Sequence, residues 1–398
     1  MNKITILFAA LLYMMPALGQ KNDADKIRLT EELEQIYMES HIIGFSVAIV
    51  NKDGILFTKG FGYSDRKANE RYTEHTLQNI ASISKTFIGI ALLKAQELGK
   101  LTLDDPINNY LPFKVINPYF PDEPITIRQL ATHTATLKDP SVYEKRGYIL
   151  KEVNKTGTKA NANFKSPEEI VAMQVFLESI FNPKGKWYKK RNFLKMKPGE
   201  IFEYSNLGAG LAAYIIELAT ETSFSEFTAK HILEPLGMSA SGWRFVDIDM
   251  SKHSKLYLDT ETQLPFYSLV NYADGGLISS ASDMGKYLSE LINGQNGRGK
   301  ILTKTSFSEL FTPQLTAGNF EERNESDYND EYNSGIFMGF SAAGYIGHTG
   351  SDPGVASFMF FDPKTRIGKI LMVNTDLGKE GVKEFIEIWD ILGKYEME

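Results

Sequence analysis

At 398 residues the chain is long enough to bury a large core, as one large or two interlocked domains. An apolar content of 42% with 23% charged residues excludes a disordered or fibrous protein, and a formal net charge of −7 argues against a dedicated nucleic-acid binder. The absence of cysteine excludes disulfides, thiolate metal sites, a cysteine nucleophile and a lipid-modified N-terminal cysteine.

Residues 1–19 have the pattern of a cleavable signal peptide. Lys3 supplies the charge, Ile4 to Met15 the apolar centre, and Ala17-Leu18-Gly19 the small-residue end. The apolar run is short for a membrane span and Pro16 interrupts it, which favours a cleaved leader over an anchor. The expected product is periplasmic or secreted, starts near Gln20, and keeps no stable membrane insertion. Asp25 to Glu39 carries a helical stripe of Ile27, Leu29, Leu33, Ile36 and Tyr37. Phe45 to Val50 and Ile55 to Thr58 flank Asn51-Lys52-Asp53-Gly54, a hairpin with Asp-Gly in its turn.

The stretch Asn79 to Ile90 then joins chemistry to a helix. Ser82 stands three residues before Lys85, and a mostly apolar run follows to Leu98, with Gly99 suited to a left-handed cap. Residues three apart on a helix are neighbours, so a hydroxyl and an amine come within reach beside unpaired N–H groups. These are the parts of a serine nucleophile, its base and half an oxyanion hole. Alone the spacing is weak evidence, since a helix cap and a solvated lysine would look the same. Ser64-Asp65-Arg66-Lys67 repeats it in a polar stretch with no helix after it.

Further along, Thr126 to Leu130 reads as a short capped helix, and Lys138 to Lys165 as a long irregular loop. Ser166-Pro167-Glu168-Glu169 reads as a capping box restarting a helix. Leu207 to Ala219 is an apolar helix, and Ser280 to Asp283 caps another. Glu321 to Glu331 is an acidic loop, Ala356 to Phe361 and Ile367 to Val373 form a second hairpin, and Glu380 to Leu392 is an amphipathic helix. Strands at both ends with helices between predict an α/β (α+β) fold. One antiparallel sheet is built from both termini, about 20–80 and 270–398, around a largely helical region of about 81–269.

Two more stretches give Ser82 weight. In Phe202 to Gly208, Tyr204 is the only one of 19 tyrosines followed two residues later by asparagine, Asn206, at the mouth of an apolar helix. A phenol acting as a base needs a cation nearby, and Lys85 is a candidate. The Asn206 amide can donate to a substrate carbonyl and accept from Lys85. In Tyr345 to Gly354, a strand of small residues bears His348 and Thr349, then Gly350 and Ser351, and lets a substrate lie close alongside.

Ser-x-x-Lys, Tyr-x-Asn and His-Thr-Gly in this order resemble the serine β-lactamase and penicillin-recognising enzyme family, in its class C-like branch with D-amino-acid peptidases and related esterases. Ile125 to Thr134, Lys197-Pro198-Gly199 and Gly275-Gly276-Leu277 resemble the family's connecting segments, so the likeness covers nearly the whole mature chain as a single domain, 20–398. The resemblance implies a β-lactamase-like fold and acyl transfer onto Ser82. Lys85 and Tyr204 would handle the proton, Asn206, His348, Thr349 and Gly350 would line the substrate, and the N–H of Ser351 would hold the oxyanion. The implied substrate is a small molecule or peptide: an ester, an amide or a D-amino-acid peptide, with β-lactam hydrolysis at most secondary. Two departures stand out. Ala135-Thr136 replaces the usual Ser-Gly, and His348 replaces the lysine of many β-lactamases, which points away from carboxylate-bearing lactams.

No metal or organic cofactor is implied, since the six histidines show no ligand spacing. The rival reading is a non-catalytic or acylation-only binder of penicillin or cell-wall peptides. A nucleic-acid reading of the basic, aromatic stretch Lys184 to Lys197 is outweighed by the acidic total, and a solvated cleft rim is expected there.

Overall fold

The computed structural model describes residues 23–153, 163–321, 333–395 and 397. The leader expected over residues 1–19 lies outside them, as does the acidic loop beyond Glu321.

A first helix, α1, covers residues 23–39, followed by β1 (Gly44–Asn51) and β2 (Gly54–Asp65), joined by the Asp53-Gly54 turn. Next come α2 (Ser84–Glu97), α3 (Ile127–Ala131), α4 (Ser141–Gly147) and β3 (Tyr148–Leu150). After α5 (Met173–Phe181), α6 (Asn206–Thr220) and α7 (Ala281–Gln295), the chain returns to strands. These are β4 (Ile346–Asp352), β5 (Val355–Phe361) and β6 (Gly368–Val373), and α8 (Lys379–Lys394) follows.

Among the described residues the main sheet has eight strands, all paired antiparallel. Its centre runs β4-β5-β6-β1-β2, so β1 from the start of the chain pairs with β6 from its end. The register sets Val47 against Leu371 and Ala48 against Ile370. Alternation across β1 divides the core in two. Phe45, Val47 and Ile49 pack with Leu29, Leu33, Ile388 and Trp389 beneath the terminal helices. Ala48 and Val50 face the other way, toward α2, α6 and α7. Both faces of the central strand are thus covered, and β1 is buried almost throughout. The two-ended sheet around a helical region agrees with the expectation from sequence.

Helix α2 lies in the larger core and is buried on nearly every side, which explains why its sequence shows no clean polar face. The caps of α3, α6 and α7 are Thr126, Ser205 and Ser280, each accepting a backbone N–H.

Two expectations are corrected. Ser166 to Glu169 does not open a helix: Pro167–Glu169 is a single 3₁₀ turn, and Ser166 Oγ contacts the Glu168 carboxylate rather than a backbone N–H. Ile170 beyond it is exposed, whereas Met173, Phe176, Leu177 and Ile180 share a buried face, so packing starts the helix at Met173. The stretch from Lys138 is also more ordered than its polarity suggests. It forms α4 and then β3, which pairs with Tyr267–Leu269. Residues 154–162 of that stretch lie outside the described residues.

Candidate active site

Ser82 lies in a 3₁₀ turn, Ala81–Ile83, that runs straight into α2. Two interactions pin the residue before the turn. Ile80 N–H donates to the Leu277 carbonyl at 3.0 Å, and Ser357 Oγ donates to the Ile80 carbonyl at 2.9 Å. Ala81 is held at φ 51°, a left-handed conformation that costs an alanine roughly 1–2 kcal/mol and is kept only where its surroundings over-determine it. Gly350 on β4 makes the fit possible, since a Cβ there would meet the Ala81 Cβ at 3.1 Å and crowd the Ile80 carbonyl.

One turn along α2, Lys85 is fully buried. Its Nζ donates to Ser82 Oγ at 2.9 Å and to the main-chain carbonyl of Asp274 at 2.7 Å, and lies 5.0 Å from the centre of the Tyr204 ring. The base, the hydroxyl and the phenol expected from sequence therefore meet around one ammonium group. Tyr204 is stacked on His133 at 4.5 Å between ring centres. His133 Nδ1 accepts the Ser205 N–H at 3.1 Å. Burial first, then the charge of Lys85 and the nearness of His348, hold the His133 pKa well below the ordinary imidazole value, so this ring is neutral. Sequence reading missed His133, although it stood in the quoted stretch Ile125 to Thr134.

Asn206 opens α6 on a carboxylate that was also missed. Asp139 accepts the N–H groups of Asn206 and Leu207 at 2.8 and 3.0 Å, the Asn206 side-chain amide at 2.9 Å and the Ser205 hydroxyl at 3.0 Å. A carboxylate at a helix N-terminus is favourable, and here it holds the Tyr-Ser-Asn segment in place. Burial still raises the Asp139 pKa despite these donors. On the far side, Asn271 Nδ2 reaches the Asn206 carbonyl at 2.8 Å and Asp274 Oδ2 at 2.6 Å. That bridge needs Gly210, where a side chain would overlap the Asn271 amide.

A cavity of about 330 Å³ opens over Ser82. Tyr204, Asn206, Thr349, Gly350 and Ser351 line one part of it. Tyr143, Glu144, Tyr148, Asp274 and Asp352 line the rest. His348 is placed elsewhere: it is buried in a small chamber behind Tyr204 with His133 and Phe337, and its Nδ1–H donates to the Thr349 carbonyl at 2.6 Å. Six of the eight expected residues thus line one cleft, Lys85 is buried beneath Ser82, and His348 backs the cleft. Two larger hollows of about 530 and 540 Å³ lie elsewhere, and neither is lined by any of these residues.

The Ala135-Thr136 departure keeps a glycine-like turn. Thr136 adopts φ 62°, and its hydroxyl accepts from Asn117 Nδ2 at 2.9 Å. In the basic stretch, Phe193 is buried against Phe181 and Trp187 packs edge-on against Phe176 at 5.6 Å. Among the described residues no group of three or more His, Asp or Glu side chains is arranged to hold a metal, and no helix is long and apolar enough to cross a membrane.

The family model described as Beta-lactamase matches residues 29–392. Protein flp of Staphylococcus aureus (strain MW2) is 25% identical over 367 residues, covering 89% of this chain and 64% of that protein. The chain therefore spans slightly less than two thirds of that relative. A beta-lactamase/D-alanine carboxypeptidase from Yersinia pestis superposes with a TM-score of 0.68 at 19% identity, covering 92% of this chain and 97% of that one. The D-amino acid amidase of Ochrobactrum anthropi SV3 gives 0.64 at 22% identity, covering 92% and 99%. At these identities the structural likeness speaks to the fold.

Proposed function

Since the chain belongs to the Beta-lactamase family, we propose that it is an exported serine hydrolase working by acyl transfer through Ser82 on an ester, an amide or a D-amino-acid peptide. The observation that carries this reading is the 2.9 Å contact of Lys85 Nζ with Ser82 Oγ, made beside Tyr204 at the floor of an open cleft. In the first step Ser82 Oγ bonds to the substrate carbonyl carbon while its proton passes to the Lys85–Tyr204 pair. The oxyanion is held by the N–H groups of Ser82 and Ser351. Collapse breaks the bond to the leaving group, which takes the proton back from the same pair. Water then adds to the acyl carbon, gives up its proton by the same route, and releases the acid with Ser82 restored. His133 and Asp139 act as positioning residues, holding Tyr204 and Asn206 toward the cleft.

The names of the neighbours, an amidase and a carboxypeptidase, support amide and peptide substrates. A fluorophosphonate is expected to add its mass to the peptide carrying Ser82, and Ser82→Ala to abolish that addition. Labelling that survives Ser82→Ala refutes the assignment. Stoichiometric acylation without release of product would make the protein an acylation-only binder.

A further inference from the structure

The cavity over Ser82 is acidic. Glu144, Asp274 and Asp352 are on its wall, and the described residues lining it include no cationic side chain. Two of these carboxylates are fixed by tyrosines from the segment after Lys138. Tyr143 donates to Asp274 Oδ2 and Tyr148 to Asp352 Oδ1, each at 2.8 Å. Asn271 donates to the same Asp274 Oδ2. The other oxygen, Asp274 Oδ1, belongs to a side chain 1% exposed and has no hydrogen-bond partner among the described residues. Asp352 Oδ2 lies over the bare Cα of Gly275, where a Cβ would approach it to 3.0 Å, and the charge of Asp352 acts on the Asp274 carboxyl next along the chain from that glycine.

A buried carboxylate oxygen with no donor is costly, and the charge of a second carboxylate acting on it adds to that cost. Burial pushes Asp274 up to about 7 and Asp352 up to about 6, and the positive charge of Lys85 pulls each back only in part. A cation entering between them would supply both the missing donor and the missing charge. No third carboxylate or imidazole is placed to complete a metal site among the described residues, whereas an ammonium group brings its own three donors.

We propose that Asp274 and Asp352 form a subsite for a primary ammonium group of the substrate, so that the compounds opened at Ser82 are aminoacyl amides or esters with a free amine near the scissile carbonyl. The nearness follows from Lys85, which links Ser82 Oγ and the Asp274 carbonyl through one nitrogen and so sets the two residues two hydrogen bonds apart. The same wall repels a substrate carboxylate. The inference rests on the hydrolase reading for its chemistry, but the binding it describes does not require turnover.

The test therefore uses Ser82→Ala, which cannot form an acyl-enzyme. Its ligands are the p-nitroanilides of alanine, N-acetylalanine and N-succinylalanine, in both enantiomers. Calorimetry at low ionic strength and about pH 7, where an α-amino group is largely protonated, is expected to show the free amine of one enantiomer bound about tenfold or more tighter than the acetylated form, with the succinylated form weakest. Adding Asp352→Asn should reduce that ratio to about threefold or less. Asp274→Asn should do the same, and circular dichroism establishes that each variant is folded. Equal affinity for amine and acetyl forms, or a preference that survives Asp352→Asn, overturns the subsite. Hydrolysis by the unsubstituted protein is scored separately. Tight amine binding without turnover would uphold the subsite and defeat the hydrolase reading, and turnover with no amine preference would do the reverse.

Discussion

Gly350→Ala tests whether the Ser82 turn and β4 are as closely fitted as the geometry requires. A Cβ at residue 350 would lie 2.6 Å from Ser357 Oγ and 3.1 Å from the Ala81 Cβ, and still closer to the Ile80 carbonyl oxygen. Ordinary contact between such atoms is near 3.5 Å, so β4 must retreat by about 1 Å. The obstacles are backbone and a hydrogen-bonded serine, and neither can rotate away. The retreat carries Ser351 with it, separating its N–H from the Ser82 N–H across the oxyanion position. A misplacement of about 1 Å costs roughly 10²-fold in rate, and overpacking costs about 1–3 kcal/mol in stability. The assay is the second-order rate of fluorophosphonate capture, read beside a thermal melt. The expected result is a loss of about 10²-fold with only a modest fall in Tm. Capture within about threefold of the parent, in a protein that melts normally, would show that β4 does not set the oxyanion geometry.

Asp139→Ala removes the acceptor for two helix N–H groups and for the Asn206 amide, so Tm should fall by the equivalent of about 1–2 kcal/mol and capture of Ser82 by about tenfold; an unchanged capture rate would confine Asp139 to capping. Asp274 gives a pH signature. Its folded pKa, about 7, is raised above the ordinary 3.8, so the stability it contributes is full below about pH 4 and is lost as pH rises through 7, a swing on the order of 4 kcal/mol. Measured against the parent, Asp274→Asn should gain in relative Tm between about pH 4 and 8, and a difference constant with pH would refute the buried-carboxylate account.

The parts of the site legible in the sequence are those whose geometry is local. Ser82 and Lys85 meet because three residues on a helix span one turn, and Tyr204 and Asn206 show at the mouth of a capped helix. The two hairpins announce themselves by alternation around short turns, so the sheet could be assembled from its ends. What escaped was brought in by distant pairing. Asp274 reaches Ser82 because Gln78-Asn79 pairs with Ile278-Ser279, and Tyr148 reaches Asp352 because β3 pairs with Tyr267–Leu269. No spacing rule covers such contacts. A signal was nonetheless present, since Asp274 directly precedes the connector Gly275-Gly276-Leu277 and Asp352 directly follows Ser351. The false helix start at Ser166 has the opposite cause: the local residue pattern is that of a cap, but Ser166 Oγ turns to the Glu168 carboxylate and no buried face stands behind it.

Charge in the cleft ties the departure at His348 to the two aspartates. Reading the sequence laid the expected disfavour toward carboxylate substrates on His348 alone, as the loss of a lysine. The structure puts that imidazole behind Tyr204, with its Nδ1–H spent on the Thr349 carbonyl, so it meets Tyr204 and not the open cavity. Losing a cation there would leave the cleft less attractive to anions, with no preference for cations. Asp352, one residue past the proposed oxyanion donor, and Asp274, beneath Gly275, change the sign as well as the size of the effect. The positive charge of Lys85 acts on both carboxylates, but its Nζ is held at Ser82 Oγ and the Asp274 carbonyl. Asp274 Oδ1 stays without a donor among the described residues. A cleft built this way selects against an anion on the same wall that would receive an amine. On this reading His348 and the two aspartates belong to one substrate preference, and the aspartates determine its direction.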